Sequence, residues 1–233
     1  MFNQLIEAAQ DAIQTTGKGA KLLFVVDGTD RSNSDDTKRF FIDDAHQLQL
    51  ITANFIFCCP INLLHEGNTV QQMFKHHILP MIKLSDEDGE IRFEPGYEVL
   101  RKMILRRASR SLFDSDETLE RVIESSGGNP REAIKILEKA FSLSETDRFD
   151  AKAVTAAIDD LATDYRRFLK PEDYHILYAI DHGLTPDWEQ ERENELLYNL
   201  ALLEYNSFWR RSHPVTRRLK AYRKLATGTG STS

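Results

Sequence analysis

A run of five apolar residues, Leu22 to Val26, leads directly into Asp27 within the segment KLLFVVDGTDR. A short apolar run closed by an acid and a glycine is typical of a strand that is buried on both faces. A second such run, NFIFCC at residues 54–59, ends at Pro60. Apolar side chains recur at helical spacing between the two runs, which predicts a connecting helix. Because strands that alternate with helices pair through crossover connections, we expect these two strands to be parallel.

The same pattern extends to both sides of these strands. An amphipathic helix is predicted over Phe2–Thr16, ending at Gly17. A third strand is predicted at residues 78–84, ILPMIKL. We expect it at the edge of the sheet, because Pro80 lacks the N–H group that a central strand needs.

The predicted fold class is α/β followed by α, because the hydrophobic period becomes helical after a charged loop, DEDGE, at residues 86–90. Residues 91–169 read as a small helical domain. Residues 170–226 read as two or three helices with a short β ribbon, which indicates a winged-helix module. Residues 227–233, TGTGSTS, are expected to be a disordered tail.

Composition is ordinary for a globular protein, with 41% hydrophobic and 29% charged residues and a net charge of −7. That charge gives no global signal for nucleic-acid binding. The two cysteines are adjacent in an apolar run, which indicates buried thiols rather than a disulfide or a metal pair. We find no signal peptide and no apolar run long enough to cross a membrane, so the expected location is the cytoplasm.

Asp27 is the first candidate for chemistry. It follows a predicted strand at the carboxyl end, where open α/β sheets place their ligands. A single carboxylate in that position could bind Mg²⁺, which proteins hold through one or two carboxylates together with water and phosphate oxygens. The alternative is a buried strand that simply ends in an Asp-Gly turn.

The segments LFVVDGTDR, NFIFCCPINLL and SGGNPREAIKIL occur in this order, ahead of the winged-helix pattern. Together they resemble the P-loop ATPases of the AAA+ and STAND groups, with the KAP, NACHT and origin-recognition-like branches nearest. The resemblance covers residues 20–222. It implies a partial parallel three-layer P-loop sheet carrying the Walker B half at residues 1–90, then a helical lid and a winged-helix domain. It also implies ATP hydrolysis with Mg²⁺, used as a nucleotide-driven switch.

The resemblance assigns roles to four residues. Asp27 would bind Mg²⁺, and Asp30, the second acid of the DGTDR segment, would help to polarise water. Asn62 would be the first sensor of the γ-phosphate, and Arg131 the second sensor, donating from the lid to phosphate oxygens. The alternatives are local: Asp30 could cap a turn, and Asn62 could form an Asx turn.

The sequence departs from the family pattern in three places. It contains no GxxxxGK[ST] phosphate loop, it has Gly28 where AAA+ enzymes usually hold a catalytic glutamate, and residues 66–82 contain no arginine finger. We therefore expect the C-terminal part of a longer ATPase or a degenerate member, which depends on a missing N-terminal portion or a partner subunit. This chain alone is expected to bind neither ATP nor Mg²⁺ tightly, and its open sheet edge is expected to favour self-association.

A basic segment near the end of the chain supports a different function. Residues 209–224 contain seven arginines and lysines and no acid; the candidates for nucleic-acid contact are Arg210, Arg211, Arg217 and Arg218. In a winged helix such residues could lie along a DNA backbone, giving a non-enzymatic nucleic-acid-binding or scaffold protein with a relic ATPase core. The alternative is a basic face that docks on the acidic remainder of the chain.

Overall fold

Two short strands pair in parallel in the computed structural model of the chain: β1, Leu23–Val26, and β2, Asn54–Phe57. Leu23 lies opposite Asn54 and Val26 lies opposite Phe57. The predicted parallel pairing is confirmed.

The structure describes residues 2–17, 19, 21–30, 34–65, 69–87, 89–185, 187–205 and 209–228. The chain divides into two units between Ile78 and Leu79.

The first unit surrounds this small sheet with short helices. Their bounds are α1 Phe2–Gln14, α2 Ser34–Lys38, a π-helical turn Arg39–Asp43, α3 Ala45–Gln49, a 3₁₀ turn Ile61–Leu64 and α4 Thr69–Met73. The core of the unit is Phe41, Leu63 and Val70, which are almost completely buried. Phe57 of β2 packs edge-on against Phe41, with ring centroids 6.0 Å apart. The helices thus cover the face of the sheet that carries Phe57.

The opposite face of the sheet is uncovered by the described residues. Leu23, Val25 and Ile56 share this face and are 57%, 67% and 52% exposed. The prediction of strands buried on both faces is therefore wrong for this unit. The physical reason is that a continuous apolar run shows that both faces are apolar, whereas burial of the second face also requires an element to cover it.

The predicted third strand is also wrong. Residues 75–84 have no regular secondary structure, and Leu79 is 90% exposed. The N–H of Met81 donates to Glu204 O at 3.0 Å, and that of Ile82 donates to Gly128 O at 3.0 Å. Because these donors are used within the second unit, the segment from Leu79 onward belongs there, whereas the sequence places the end of the core at residue 90.

The second unit begins with four helices: α5 Glu94–Leu105, α6 Asp116–Ser125, α7 Pro130–Leu143 and α8 Ala151–Phe168. A 3₁₀ turn at Arg110–Leu112 precedes α6. Side-chain caps define the helix starts, since Asp150 accepts the N–H of Ala153 at 2.8 Å and Asn129 accepts that of Arg131 at 2.9 Å. The buried apolar faces of these helices form the core of the unit.

The C-terminal part adds α9 Pro171–Asp181, α10 Gln190–Tyr198, strands β3 Leu202–Glu204 and β4 Arg210–Ser212, α11 Pro214–Arg217 and α12 Lys220–Ala226. The two strands are antiparallel, with Leu202 opposite Ser212. The fold class is therefore mixed α/β and mostly helical. Of the predicted tail, residues 229–233 lie outside the described residues. No helix in the described ranges is both long and apolar enough to cross a membrane.

Two glycines allow the segment after Leu79 to lie against the helices. A Cβ atom on Gly128, where φ is +83°, would stand 1.9 Å from Ile82 O. A Cβ on Gly96 would stand 1.8 Å from Lys83 O. Both obstacles are backbone atoms, so neither can move without shifting the chain.

We expect Gly128→Ala to destabilise the second unit by at least about 2 kcal/mol, through this clash and the positive φ. Urea unfolding followed by tryptophan fluorescence measures it, because Trp188 and Trp209 both lie in this unit. The control is Gly183→Ala, where φ is +62° but nothing lies within 4 Å of the added Cβ. It should cost only about 1 kcal/mol. Equal losses in the two variants would contradict the close approach.

Candidate functional site

Asp27 lies at the carboxyl end of β1, directly after Val26. Its Oδ1 accepts the N–H of Gly28 at 2.8 Å and the thiol of Cys58 at 3.6 Å. The side chain is exposed. The parallel register explains the thiol contact, since Val26 is opposite Phe57 and the next residues along the two strands are Asp27 and Cys58.

Further polar groups lie at the same end of the sheet. Thr29 Oγ1 donates to Cys58 O at 2.5 Å, which ties the turn after β1 to the end of β2. The negative charge of Asp30 acts on both cysteines. The structure therefore brings Asp27, Asp30, Cys58 and Cys59 together at one edge, as expected for the carboxyl ends of two parallel strands.

The two thiols are held in their protonated form. Burial and the charge of Asp30 raise the pKa of Cys59 to about 12. Burial, the hydrogen bond to Asp27 and the charges of Asp27 and Asp30 also raise the pKa of Cys58. Because the thiolate is the nucleophile and the metal ligand, this environment disfavours both roles for the pair. The sequence analysis missed the contact between Cys58 and Asp27, although the predicted parallel pairing contains the signal for it.

Asn62, the expected first sensor, lies in the 3₁₀ turn that follows β2 and is only 5% exposed. Its backbone C=O accepts the N–H of His65 at 2.9 Å. The side chain is enclosed by the unit rather than displayed at its surface. Phosphate recognition by this amide would therefore require a path to a buried group.

The described residues fit Mg-ATP only in part. Asp27 offers one exposed carboxylate, but the N–H of Gly28 is donated to its Oδ1 rather than left for a phosphate. A Cβ atom on Gly17, Gly19 or Gly28 would meet nothing within 4 Å apart from the chain neighbours of each glycine. Nor do the described ranges contain a group of three or more histidine, cysteine, aspartate or glutamate side chains that could hold a metal ion.

Arg131, the expected second sensor, lies in the second unit in the first turn of α7. Its side chain is exposed, and its guanidinium makes no ion pair with the described residues. The neighbouring Glu132 is buried and pairs with Lys135 Nζ at 2.7 Å. The Asn129 cap and Pro130 fix the helix start as predicted.

The four C-terminal arginines divide into two pairs. Arg210 is held by Glu193 and Glu204, with Nε 2.8 Å from Glu204 Oε2. Arg218 pairs with Asp159 at 2.9 Å. Arg211 and Arg217 make no ion pair with the described residues, so carboxylates hold two of the four candidate arginines.

Comparison of the chain with protein-family models, with curated proteins and with solved structures finds no match. The assignment of a function therefore depends on the geometry of these residues.

We expect Asp27→Asn to accelerate alkylation of Cys58 by iodoacetamide about threefold or more near pH 8. Loss of the negative charge lowers the pKa of this thiol, so more thiolate is present. Mass spectrometry of the alkylated peptide, resolved by residue, measures the rate.

Asp11→Asn, at an exposed position of α1, is the control and should leave both thiols unchanged. Asp30→Asn should accelerate both cysteines, because Asp30 raises the pKa of each. An unchanged Cys58 rate in Asp27→Asn would show that the Sγ–Oδ1 contact does not control this thiol.

Proposed function

We propose that the chain forms the Walker B half, lid and winged-helix parts of an AAA+/STAND-like ATPase that works as a nucleotide-driven switch. The phosphate loop would come from outside these 233 residues, either from the same polypeptide or from a partner subunit. The observation that carries the proposal is the parallel register of β1 and β2, with Asp27 and Asp30 following the carboxyl end of β1.

The exposed carboxylate of Asp27 suits a single Mg²⁺ ligand, which leaves the other coordination positions to water and phosphate oxygens. Bound ATP would supply the phosphoryl bond that is cleaved. Within this chain, Asp27 would position the metal and Asp30 would orient water near it. The protonated state of Cys58 keeps a competing thiolate away from the same edge.

The exposed face of the sheet supports the requirement for a further ATPase portion. Leu23, Val25 and Ile56 form a small apolar patch on a two-stranded sheet, and two strands alone are marginally stable in water. Additional strands and a covering helix would bury these side chains. A chain without that cover is expected to self-associate through the patch and the strand edges.

Arg131 supports the role of α7 as a lid. A positive charge in the first turn of a helix is unfavourable with the helix dipole, and Asn129 caps the helix without using the arginine side chain. An exposed guanidinium with no ion pair at a rigid helix start can donate to phosphate oxygens.

The rival function, a nucleic-acid-binding module with a relic core, depends on the C-terminal arginines. Arg210 and Arg218 are already held by carboxylates, which reduces the positive charge available to a DNA backbone.

The isolated chain should bind Mg-ATP no more tightly than about 1 mM, about 4 kcal/mol, and should not hydrolyse it, because its sequence contains no GxxxxGK[ST] loop to surround the phosphates. Calorimetric titration of the full 233-residue chain tests this. Micromolar binding that is lost in Asp27→Asn would show that this chain carries a cradle of its own.

The proposal itself is tested by reading the coding sequence upstream of this chain and its neighbouring genes for GxxxxGK[ST]. A protein that contains both this loop and the present chain should hydrolyse ATP. Asp27→Asn should reduce that rate at least about a hundredfold, while Asp11→Asn should not. Absence of such a loop, together with salt-dependent duplex DNA binding that is lost in Arg211→Ala, would instead favour the rival function.

Arg131→Ala should change the stability of the second unit by less than about 0.5 kcal/mol, since the side chain is exposed and makes no ion pair. It should nevertheless lower ATP hydrolysis at least about tenfold in a protein that contains both the phosphate loop and the present chain. The comparison is Asn129→Ala, which removes a helix cap and should cost about 1 kcal/mol of stability. Unchanged hydrolysis in Arg131→Ala would remove the sensor role.

A further inference from the structure

A cleft of about 610 Å³ lies in the second unit between α7, α8 and the turn at Asn199 and Leu200. This volume is within the range of sites that take small molecules. Apolar and aromatic side chains form part of its wall: Ile136, Ala157, Leu161, Tyr165, Phe168 and Leu200. The rings of Tyr165 and Phe168 are neighbours, with centroids 5.5 Å apart. The cleft therefore offers an apolar surface to the body of a ligand.

The charged side chains of the cleft are mostly acidic. Four carboxylates and two ammonium groups contribute to its wall: Glu132, Glu138, Asp160, Asp164, Lys135 and Lys139. Three of the carboxylates are held in ion pairs, by Lys135, Lys139 and Arg167. Glu138 is exposed and makes no ion pair with the described residues. The balance of charge is negative, so the cleft favours a cation over an anion.

Glu132 is the buried carboxylate of the cleft. Only 1% of this residue is exposed, whereas glutamate side chains normally remain in water. Lys135 Nζ lies 2.7 Å from Oε1, but Oε2 is buried and has no hydrogen-bond donor among the described residues. A buried carboxylate oxygen without a donor costs free energy, and a ligand N–H group at this oxygen would recover it.

The hydroxyl of Tyr165 is a second polar group of the cleft that makes no hydrogen bond with the described residues. Its ring is stacked on His213, with centroids 4.9 Å apart, and the residue is 5% exposed. Burial and the charge of Glu132 raise the pKa of Tyr165 well above its usual value, so the hydroxyl stays neutral. Because Glu132 and Tyr165 line the same cleft, a single ligand can reach both groups.

The turn beside the cleft contains a strained residue. Leu200 has a φ of +60°, in the left-handed region that a leucine rarely adopts. A glycine would suit this backbone better, but it would remove the side chain that Leu200 contributes to the wall. Strained backbone of this kind concentrates at ligand sites, where the position of a side chain matters more than local stability.

We propose that this cleft binds a small primary amine that carries an apolar group, with the ammonium at Glu132. The ammonium has three N–H donors, of which one would satisfy Glu132 Oε2 and another would be accepted by Tyr165 Oη. The apolar group would lie against the rings of Tyr165 and Phe168, whose faces also attract a cation. The site uses neither Asp27 nor Arg131, so it requires no part of the ATPase proposal.

Calorimetric titration of the full chain compares phenethylamine, 2-phenylethanol and phenylacetate. These probes share a phenyl group and differ in the charge of the polar end. We expect phenethylamine to bind at least about tenfold more tightly than the alcohol, because only the ammonium matches the negative cleft. Phenylacetate should not bind, since its carboxylate would face Glu132.

Substitutions in the cleft locate the ammonium. Glu132→Gln keeps the shape of the side chain but removes its charge, and should weaken phenethylamine binding at least about tenfold. Glu138→Gln is the matched control, since it removes an exposed carboxylate from the same cleft and should change binding less than about twofold. Tyr165→Phe keeps the ring stacked on His213 and should weaken binding about threefold through loss of the hydroxyl.

Leu200→Gly separates the site from the fold, and keeps the proposal testable if Glu132→Gln does not fold. Glycine adopts a positive φ without strain, which offsets the loss of apolar contact. Thermal unfolding should therefore show this variant to be about as stable as the unchanged chain. Its binding of phenethylamine should nevertheless weaken, because part of the wall is gone.

The proposal is overturned if phenethylamine and 2-phenylethanol bind equally, or if the unchanged chain binds neither. Equal losses of affinity in Glu132→Gln and Glu138→Gln would also overturn it, since they would show only a general attraction of cations to an acidic surface. Unchanged binding in Leu200→Gly would place the amine outside the cleft.

Discussion

Parallel hydrogen bonding between β1 and β2 determines where the polar groups of the first unit can lie. Because Val26 is opposite Phe57, the residues that follow are Asp27 on one strand and Cys58 on the other, and both leave the sheet at the same edge. Parallel strands also require a crossover connection, so the helical segment from Ser34 to Gln49 must return along the sheet. It covers the face carrying Phe57, and the side chains of the opposite face remain in solvent.

The second unit depends on a different constraint, the close approach of the backbone at residues 82–83 to two helix ends. Gly128 and Gly96 permit this approach because neither carries a Cβ atom. The N–H of Ile82 then donates to Gly128 O, and Tyr205 OH donates to Gly127 O at 2.6 Å, so both contacts are made at the turn before α7. The start of α7, and with it Arg131, is thereby held from several directions.

Local patterns predicted the features that depend on neighbouring residues. The alternation of apolar runs with a helix was sufficient for the parallel pairing, and the sequence Asn129-Pro130 was sufficient for the start of α7. Coverage of the second sheet face was not predictable, since it depends on elements distant in sequence. The ion pairs of the arginines were not predictable either. Arg218 and its partner Asp159 are 59 residues apart, and a run of basic residues gives no sign of which of them pair with a carboxylate.

The segment between Phe74 and Met81 connects the two units. Its residues make no hydrogen bond with the rest of the described chain, Leu79 is 90% exposed, and Lys75, His76 and His77 are also exposed. Exposed backbone without regular secondary structure or hydrogen bonds can enter a protease active site without prior unfolding. Trypsin acting at Lys75 would therefore separate the molecule close to its natural division, and each part could then be purified and studied as a fragment in its own right.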